Sequence, residues 1–237
     1  MSNREGEDLA EPLPAEWDLA TLKTLDIRFY AMKISPPCCK IRFLLNYYKV
    51  PFTEVGGKKP ESEYKKVPVL DIADRQINDS YVIVKNLAPI LQGRPLTQQE
   101  VAIEHMLTFG VMLALEKATA SSLRSLCGCA GLMGGGMGCA LRCAAPCIVC
   151  CVAPRMLKDK EFKTIPEYSQ ALQSYLGGQQ FFGGSEPSVT DASLYGTIAP
   201  FDAVDAPPAE MLLGDTSSPL RTWFDTMAVR SAGSKFV

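Results

Sequence analysis

A serine and two cysteines stand together in the segment Ser35-Pro36-Pro37-Cys38-Cys39, directly before a run of apolar residues with helical spacing. The first turn of a helix carries unpaired N–H groups and the positive end of the helix dipole. A thiolate is stabilised there, whether it belongs to Cys38 or to a bound thiol. Ser35 cannot be a thiolate, but its hydroxyl can donate a hydrogen bond to a ligand's sulfur and favour its ionised form. The alternative, which the pattern alone favours, is that Ser35 only caps the helix.

Two further segments could hold an extended ligand. Val67-Pro68 precedes an apolar strand, although proline at the start of a strand is often only structural. Asp79-Ser80 opens a helix, and the N–H groups of that helix together with the hydroxyl could bind a carboxylate. The alternative for Asp79 is an ordinary helix cap.

Apolar spacing predicts the elements that position these segments. Alternating apolar residues over 25–31 predict a strand, and the spacing from Ile41 to Tyr48 predicts a helix after Ser35. The next elements are predicted in this order: a strand at 51–55, a polar loop at 56–66, strands at 67–72 and 75–77, and a helix from Asp79-Ser80 to Gly93.

The remainder of the chain has the pattern of helices alone. Thr97…Glu100 and Thr164…Glu167 are capping boxes, and Ser188…Asp191 has the same spacing with aspartate in place of the usual glutamate or glutamine. The helix that starts after Thr97 is predicted to run through about Leu126.

Composition limits the classes of partner and compartment. The net charge is -2 over 237 residues, so no basic excess is present and nucleic acid is not predicted as a partner. Residues 1–22 are acidic and are predicted to be a disordered tail, without the features of a signal or transit peptide. Nine cysteines without a secretion signal suggest a reducing compartment, so we expect a cytoplasmic protein.

Several motifs occur in the order found in one superfamily, and they span most of residues 25–227. The run from Phe29 to Arg42 resembles the active-site turn of glutaredoxins and glutathione transferases. Lys66–Leu70 and Ile77–Ile83 look most like the type 2 prostaglandin E synthase branch of the glutathione S-transferase superfamily. Gly183–Gly196 resembles the buried-helix motif of the transferase C-terminal domain, and Trp223 stands where that branch has a tryptophan. The resemblance implies an α/β thioredoxin-like domain at 23–93 followed by an all-α, glutathione-transferase-type domain at 94–237.

The same resemblance implies a glutathione site. Val67 would pair with the cysteinyl backbone of glutathione, and Pro68 would follow a cis peptide bond. Asp79 and Ser80 would hold its γ-glutamyl end. Tyr30, at the end of the first strand, is a second candidate hydroxyl for activating the thiol, although a packed strand tyrosine is the simpler explanation.

The cysteine positions depart from the family pattern. Ser35 occupies the first cysteine of the Cys-Pro-X-Cys motif, and Cys38 occupies the second. Dithiol exchange needs an exposed, low-pKa thiol at the first position, so Ser35 argues against it and against an isomerase step that depends on that cysteine. We therefore expect activation of bound glutathione for attack on an apolar electrophile held around Phe109 and Met112. A homodimer is also allowed by the resemblance.

A second constellation is the apolar segment 126–157. Seven of the nine cysteines fall in it, and it contains neither aspartate nor glutamate. Three interpretations are open: a packed helical-hairpin insertion, a contact with a membrane surface, and a metal or iron–sulfur site. His105 is the only histidine and, without a second one, does not predict a metal site. Beside the transferase, the sequence therefore allows a non-catalytic, membrane-associated adaptor and a metal- or haem-binding redox protein.

Overall fold

A four-stranded sheet forms the first half of the molecule. In the computed structural model the described residues are 13–122, 163–204 and 206–236, with scattered positions between 125 and 140. The strands are β1 (Ile27–Ala31), β2 (Thr53–Gly56), β3 (Val69–Ile72) and β4 (Arg75–Asn78), arranged in the order β2-β1-β3-β4. β1 and β2 are parallel, whereas β3 is antiparallel to both β1 and β4.

Three helices accompany the sheet. They are α1 (Leu19–Leu22), α2 (Pro36–Tyr47) between β1 and β2, and α3 (Ser80–Gln92) after β4. Parallel strands need a crossover connection, and α2 supplies it between β1 and β2. Gly93 adopts the left-handed conformation, with φ 70°, and ends α3 as predicted. Residues 57–68 form a loop in the position between β2 and β3, which confirms the predicted polar loop.

The described residues of the second half form helices, so the predicted fold class is confirmed. The helices are α4 (Gln98–Met106), a π-helical segment (Leu107–Val111), α5 (Met112–Ala120), α6 (Ile165–Leu176), α7 (Val189–Asp202), α8 (Pro207–Leu213) and α9 (Pro219–Arg230). All three predicted capping boxes are present, at the starts of α4, α6 and α7.

The helix predicted from Thr97 to about Leu126 is wrong in its continuity. The π-helical segment interrupts it, and α5 ends at Ala120. Within this segment the ring of Tyr168 packs so closely on Gly110 that a Cβ atom there would clash with the tyrosine oxygen. The apolar period of the sequence continues through this contact and therefore does not reveal it.

Helix α7 is the centre of the helical half, since every residue from Val189 to Phe201 is buried. It crosses α2 at Gly196, where a Cβ atom would meet the Cβ of Phe43 at 2.7 Å. One hydrophobic core runs through both halves and includes Phe29 of β1 and Leu194 of α7. The sheet and the helices are therefore packed as one body.

The predicted disordered tail at 1–22 needs correction for its second half. Leu22 is fully buried in the core, and Leu13 and Trp17 pack against it. Asp18 caps α1 by accepting a hydrogen bond from the N–H of Thr21 at 2.7 Å. Burial of these few apolar side chains outweighs the acidic average composition on which the prediction depended. Residues 1–12 lie outside the described residues.

Candidate functional site

Ser35 lies at the amino end of α2, four residues after the end of β1. Its backbone is extended, with φ -70° and ψ 119°, and its carbonyl accepts the N–H groups of Cys38 at 2.9 Å and Cys39 at 2.8 Å. Its side chain is partly exposed and makes no capping hydrogen bond. Burial raises the pKa of the Cys38 thiol, and a hydrogen bond from the Ser35 side chain offsets part of that rise. The structure therefore does not support the interpretation of the Ser35 side chain as a simple cap.

Cys38 and Cys39 are fully buried within the first turn of α2. Burial raises the pKa of the Cys38 thiol, and it raises the pKa of the Cys39 thiol to about 12. The Sγ atom of Cys38 accepts the N–H of Met32 at 3.5 Å, and the thiol of Cys39 donates to the carbonyl of Lys33 at 3.4 Å. These are packed, neutral thiols, and their environment does not favour Cys38 as a nucleophile.

We expect both thiols to resist alkylation in the folded protein. Iodoacetamide at pH 8 should modify Cys38 and Cys39 at least about a hundredfold more slowly than Cys139, because the reagent reaches buried thiolates only after local opening. Cys139 is exposed and serves as the internal control in the same chain. The rates are measured by peptide mass spectrometry. Modification of Cys38 as fast as Cys139 would restore it as a candidate nucleophile.

The same raised pKa values give a pH dependence with a definite sign. Both thiols are held neutral in the fold, whereas in the unfolded chain they ionise near their ordinary value of 9.0. Their contribution to stability is complete below that pH and falls as the pH rises above it, because only the unfolded state then loses protons.

Val67-Pro68 and Asp79 are in direct contact at the start of β3. The Val67-Pro68 peptide bond is cis, as predicted, and the carbonyl of Pro68 accepts the N–H of Asp79 at 3.3 Å. Asp79 has φ 70° and ψ 133°, a conformation that non-glycine residues rarely adopt and that is found most often at functional sites. Its Oδ1 accepts the N–H of Tyr81 at 2.8 Å, while Ser80 is 2% exposed. The two segments predicted to bind one ligand thus meet.

The strand register brings all of these segments to one edge of the sheet. Tyr30 of β1 pairs with Val69 of β3, and Val69 pairs with Asn78 of β4. The carboxyl ends of β1 and β4 and the amino end of β3 therefore share an edge. Ser35, Pro68 and Asp79 all follow or precede strands at that edge.

Tyr30 is half-buried under the loop that follows β2. The ammonium group of Lys59 lies 5.7 Å from the centre of its ring and forms an ion pair with Asp71 at 2.6 Å. The ring is thus covered on this face by a lysine that already has a partner, and packing accounts for Tyr30.

An aromatic cluster formed by Tyr81, His105 and Phe109 adjoins the start of α3. The ring centres are 5.9 Å apart for Tyr81 and His105, 5.4 Å for Tyr81 and Phe109, and 4.9 Å for His105 and Phe109. Phe109 is partly exposed, but Met112 is 3% exposed and belongs to the interior. Of the two residues expected to hold an electrophile, only Phe109 has exposed surface that a ligand could contact. Tyr81 was not predicted, although it directly follows Asp79-Ser80.

Comparison with known families decides the identity of this architecture. A model of the glutathione S-transferase N-terminal domain matches residues 29–95, and a model of the glutathione S-transferase C-terminal domain matches residues 156–226. The chain belongs to the glutathione S-transferase superfamily. No curated protein sequence is significantly similar to it. The predicted type 2 prostaglandin E synthase branch is not confirmed.

Solved transferase structures share the fold at low sequence identity. A Bombyx mori glutathione transferase in complex with GTT has 14% identity and a TM-score of 0.58, over 90% of this chain and 92% of that chain. The tau class glutathione S-transferase of mango, Mangifera indica, has 17% identity and a TM-score of 0.52, over 90% of each chain. At such identities the likeness shows the fold alone.

Arg42 of this transferase-superfamily chain ties the turn before α2 to a distant segment. Its guanidinium group donates two hydrogen bonds to Glu54, at 2.7 and 2.6 Å. It also donates to the carbonyl of Lys33 at 3.2 Å and to that of Phe236 at 2.7 Å. Sequence reasoning missed this role, because no local pattern pairs residues so far apart.

The cysteine-rich segment 126–157 lies largely outside the described residues. Within it, Cys127 is partly buried and Cys139 is exposed. Among the residues that the structure describes, no three His, Cys, Asp or Glu side chains are grouped to hold a metal ion. Across the described residues of the whole chain, no helix combines the length and the apolar character needed to cross a membrane. The packed, membrane-contact and metal-site interpretations of this segment stay predictions.

Proposed function

We propose that the protein is a glutathione-dependent transferase that activates the thiol of bound glutathione for attack on an apolar electrophile. The observation that carries the proposal is Ser35. Ser35 is partly exposed at the amino end of α2, and its side chain makes no capping hydrogen bond. The residues at this edge also fit the other parts of glutathione, with the backbone of Val67 just before β3 for the cysteinyl part and the helix start at Asp79-Ser80 for a carboxylate.

Each group at the edge would have a separate task. The Ser35 hydroxyl donates a hydrogen bond to the sulfur, and the amino end of α2 stabilises negative charge on it. Asp79 and Ser80 orient the γ-glutamyl end, and the exposed part of Phe109, packed against Tyr81 and His105, supplies an apolar wall. Glutathione supplies the nucleophilic sulfur, which releases its proton to solvent. With an activated aryl halide, a carbon–sulfur bond forms and halide leaves with the electron pair of the broken carbon–halogen bond.

The size of the effect follows from the pKa of the bound thiol. One pKa unit corresponds to about 1.4 kcal/mol, and a hydrogen bond to the ionised form commonly shifts a pKa by about one unit or more. We expect Ser35→Ala to raise the pKa of bound glutathione by about one to two units and to slow conjugation of 1-chloro-2,4-dinitrobenzene at pH 6.5 by about tenfold or more. The pKa is measured from thiolate absorbance, and the affinity for glutathione by calorimetry.

Two controls separate activation from binding. Ser35→Thr keeps the hydroxyl and should retain most of the activity, whereas Asp79→Ala should weaken glutathione binding without the same pKa change. Wild-type conjugation by Ser35→Ala, with an unchanged thiol pKa, would sink the mechanism. Glutathione binding by the wild type without any turnover would instead favour the non-catalytic adaptor. The superfamily also makes a homodimer the assembly to test, by light scattering.

A further inference from the structure

A buried polar cluster joins the two halves of the molecule and has no part in the proposed chemistry. The ammonium group of Lys40 contacts Oε1 of Glu104 at 2.6 Å and Oγ1 of Thr108 at 2.8 Å. Thr108 donates to Oε1 of Glu104 at 3.1 Å, and Ser193 donates to Oε2 of Glu104 at 2.6 Å. We call these four residues the Lys40 cluster.

The Lys40 cluster is withdrawn from water. The side chains of Lys40 and Glu104 are 0% and 1% exposed, and Ser193 is fully buried. Removing two charges from water carries a desolvation penalty that their attraction often only balances, so well-packed apolar residues would commonly serve stability equally well. A buried ion pair fixes the relative position of the elements it joins. Two packed apolar surfaces can slide past each other, whereas short charged hydrogen bonds hold only in one geometry.

The Lys40 cluster links the elements that carry the two parts of the proposed site, the glutathione subsite and the apolar subsite. Lys40 lies on α2, five residues after Ser35, which is about 7.5 Å along the helix axis. Thr108 directly precedes Phe109 in the π-helical segment. Ser193 lies on α7, which packs against α2 and against α4, the helix that carries Glu104 and leads into the π-helical segment. One network therefore connects the element that begins at the thiol-activating group with the element that presents the aromatic wall.

We propose that the Lys40 cluster is a positioning device that fixes the distance between the start of α2 and the wall at Phe109. This inference rests on the proposed function, because it assumes a glutathione subsite and an apolar subsite. None of its four residues touches substrate in this arrangement, so they are positioning residues and not catalytic ones. The affinity for a ligand that spans both subsites therefore depends on the Lys40 cluster, whereas the affinity for glutathione alone does not. A change of about 1 Å in the distance between the two subsites lowers the affinity for such a ligand far more than a general loss of protein stability would.

The test compares glutathione with S-hexylglutathione, which adds an apolar tail to the same peptide. Both affinities are measured by calorimetry for the wild type and for the double variant Lys40→Met/Glu104→Leu, which replaces the pair by apolar residues of similar length. We expect glutathione affinity to stay within about twofold, while the gain from the hexyl tail shrinks by about tenfold. The control is Thr190→Val, which changes a buried hydroxyl on α7 that makes no hydrogen bond to any of the four cluster residues.

A milder variant keeps the test decisive should the double variant not fold. Thr108→Val leaves the ion pair in place and removes the two hydrogen bonds that Thr108 makes to it, so the gain from the hexyl tail should fall in the same direction by about threefold. An unchanged gain in a folded cluster variant, or an equal loss in Thr190→Val, overturns the positioning role while glutathione binding stands. A wild type that binds neither ligand overturns the proposed function, and this inference with it.

Discussion

Asp191→Ala is expected to lower the free energy of unfolding by about 3–5 kcal/mol, because it leaves several buried donors without an acceptor. The carboxylate is fully buried at the start of α7. It accepts hydrogen bonds from the N–H of Phe182 at 2.8 Å, the N–H of Gly183 at 3.0 Å, the N–H and hydroxyl of Ser188 at 2.9 Å each, and the indole N–H of Trp223 at 2.8 Å. One side chain thus joins the preceding loop, the helix start and α9.

Urea unfolding followed by tryptophan fluorescence measures this loss, because Trp223 is itself a partner of Asp191. Asp225→Ala is the matched control, since that carboxylate is 63% exposed on α9 and should change stability by no more than about 0.5 kcal/mol. Asp191→Asn should also be strongly destabilised, because the amide keeps one acceptor and turns a donor towards N–H groups. A midpoint for Asp191→Ala equal to that of the control would contradict the assignment.

Gly196→Ala is expected to destabilise the protein by about 2–3 kcal/mol, against the usual preference of helices for alanine. In an exposed helix the same change stabilises by about 0.5–1 kcal/mol. Here the added Cβ would meet the Cβ of Phe43 at 2.7 Å and the Cα of Lys40 at 3.2 Å, so α2 and α7 must move apart. The contact with backbone leaves no flexible side chain end to give way.

Thermal unfolding measures the effect, with Gly56→Ala as the control. Gly56 ends β2, and a Cβ atom there would have no neighbour within 4 Å. The melting temperature of the Gly56→Ala variant should therefore stay close to that of the wild type. Gly196→Val should be worse than Gly196→Ala. A Gly196→Ala variant that is more stable than the wild type would show that the two helices do not meet at this point.

Local signals in the sequence were sufficient for most of the fold. The strand period before Ser35 and the three capping boxes depend on residues within a few positions of one another, and the structure contains them. The tail prediction for 13–22 was wrong because a few apolar residues there find partners in the distant core. The π-helical segment was not predicted for the same reason, since Gly110 and Tyr168 come into contact only in the folded chain.

The candidate site divides in the same way. The segments at Ser35, Pro68 and Asp79 follow from helix starts and a strand proline, and the register of the sheet brings them to one edge. The sequence could not decide whether the Ser35 side chain caps α2, because that choice depends on a rotamer. Nor could it pair Lys40 with Glu104, which lie 64 residues apart.

The hydrogen bond from Arg42 to Phe236 has a consequence for how the protein is made. The two residues are 194 positions apart, and Arg42 also holds the carbonyl of Lys33 in the turn that leads to Ser35. A ribosome adds about 5–20 residues per second, so roughly 10–40 s separate the synthesis of the guanidinium from that of its acceptor. During translation the guanidinium group of Arg42 can therefore bond Glu54 and Lys33 but not yet Phe236, and its full set of contacts forms once residue 236 has left the exit tunnel. On a nascent chain, the turn that leads to Ser35 would therefore be completed late.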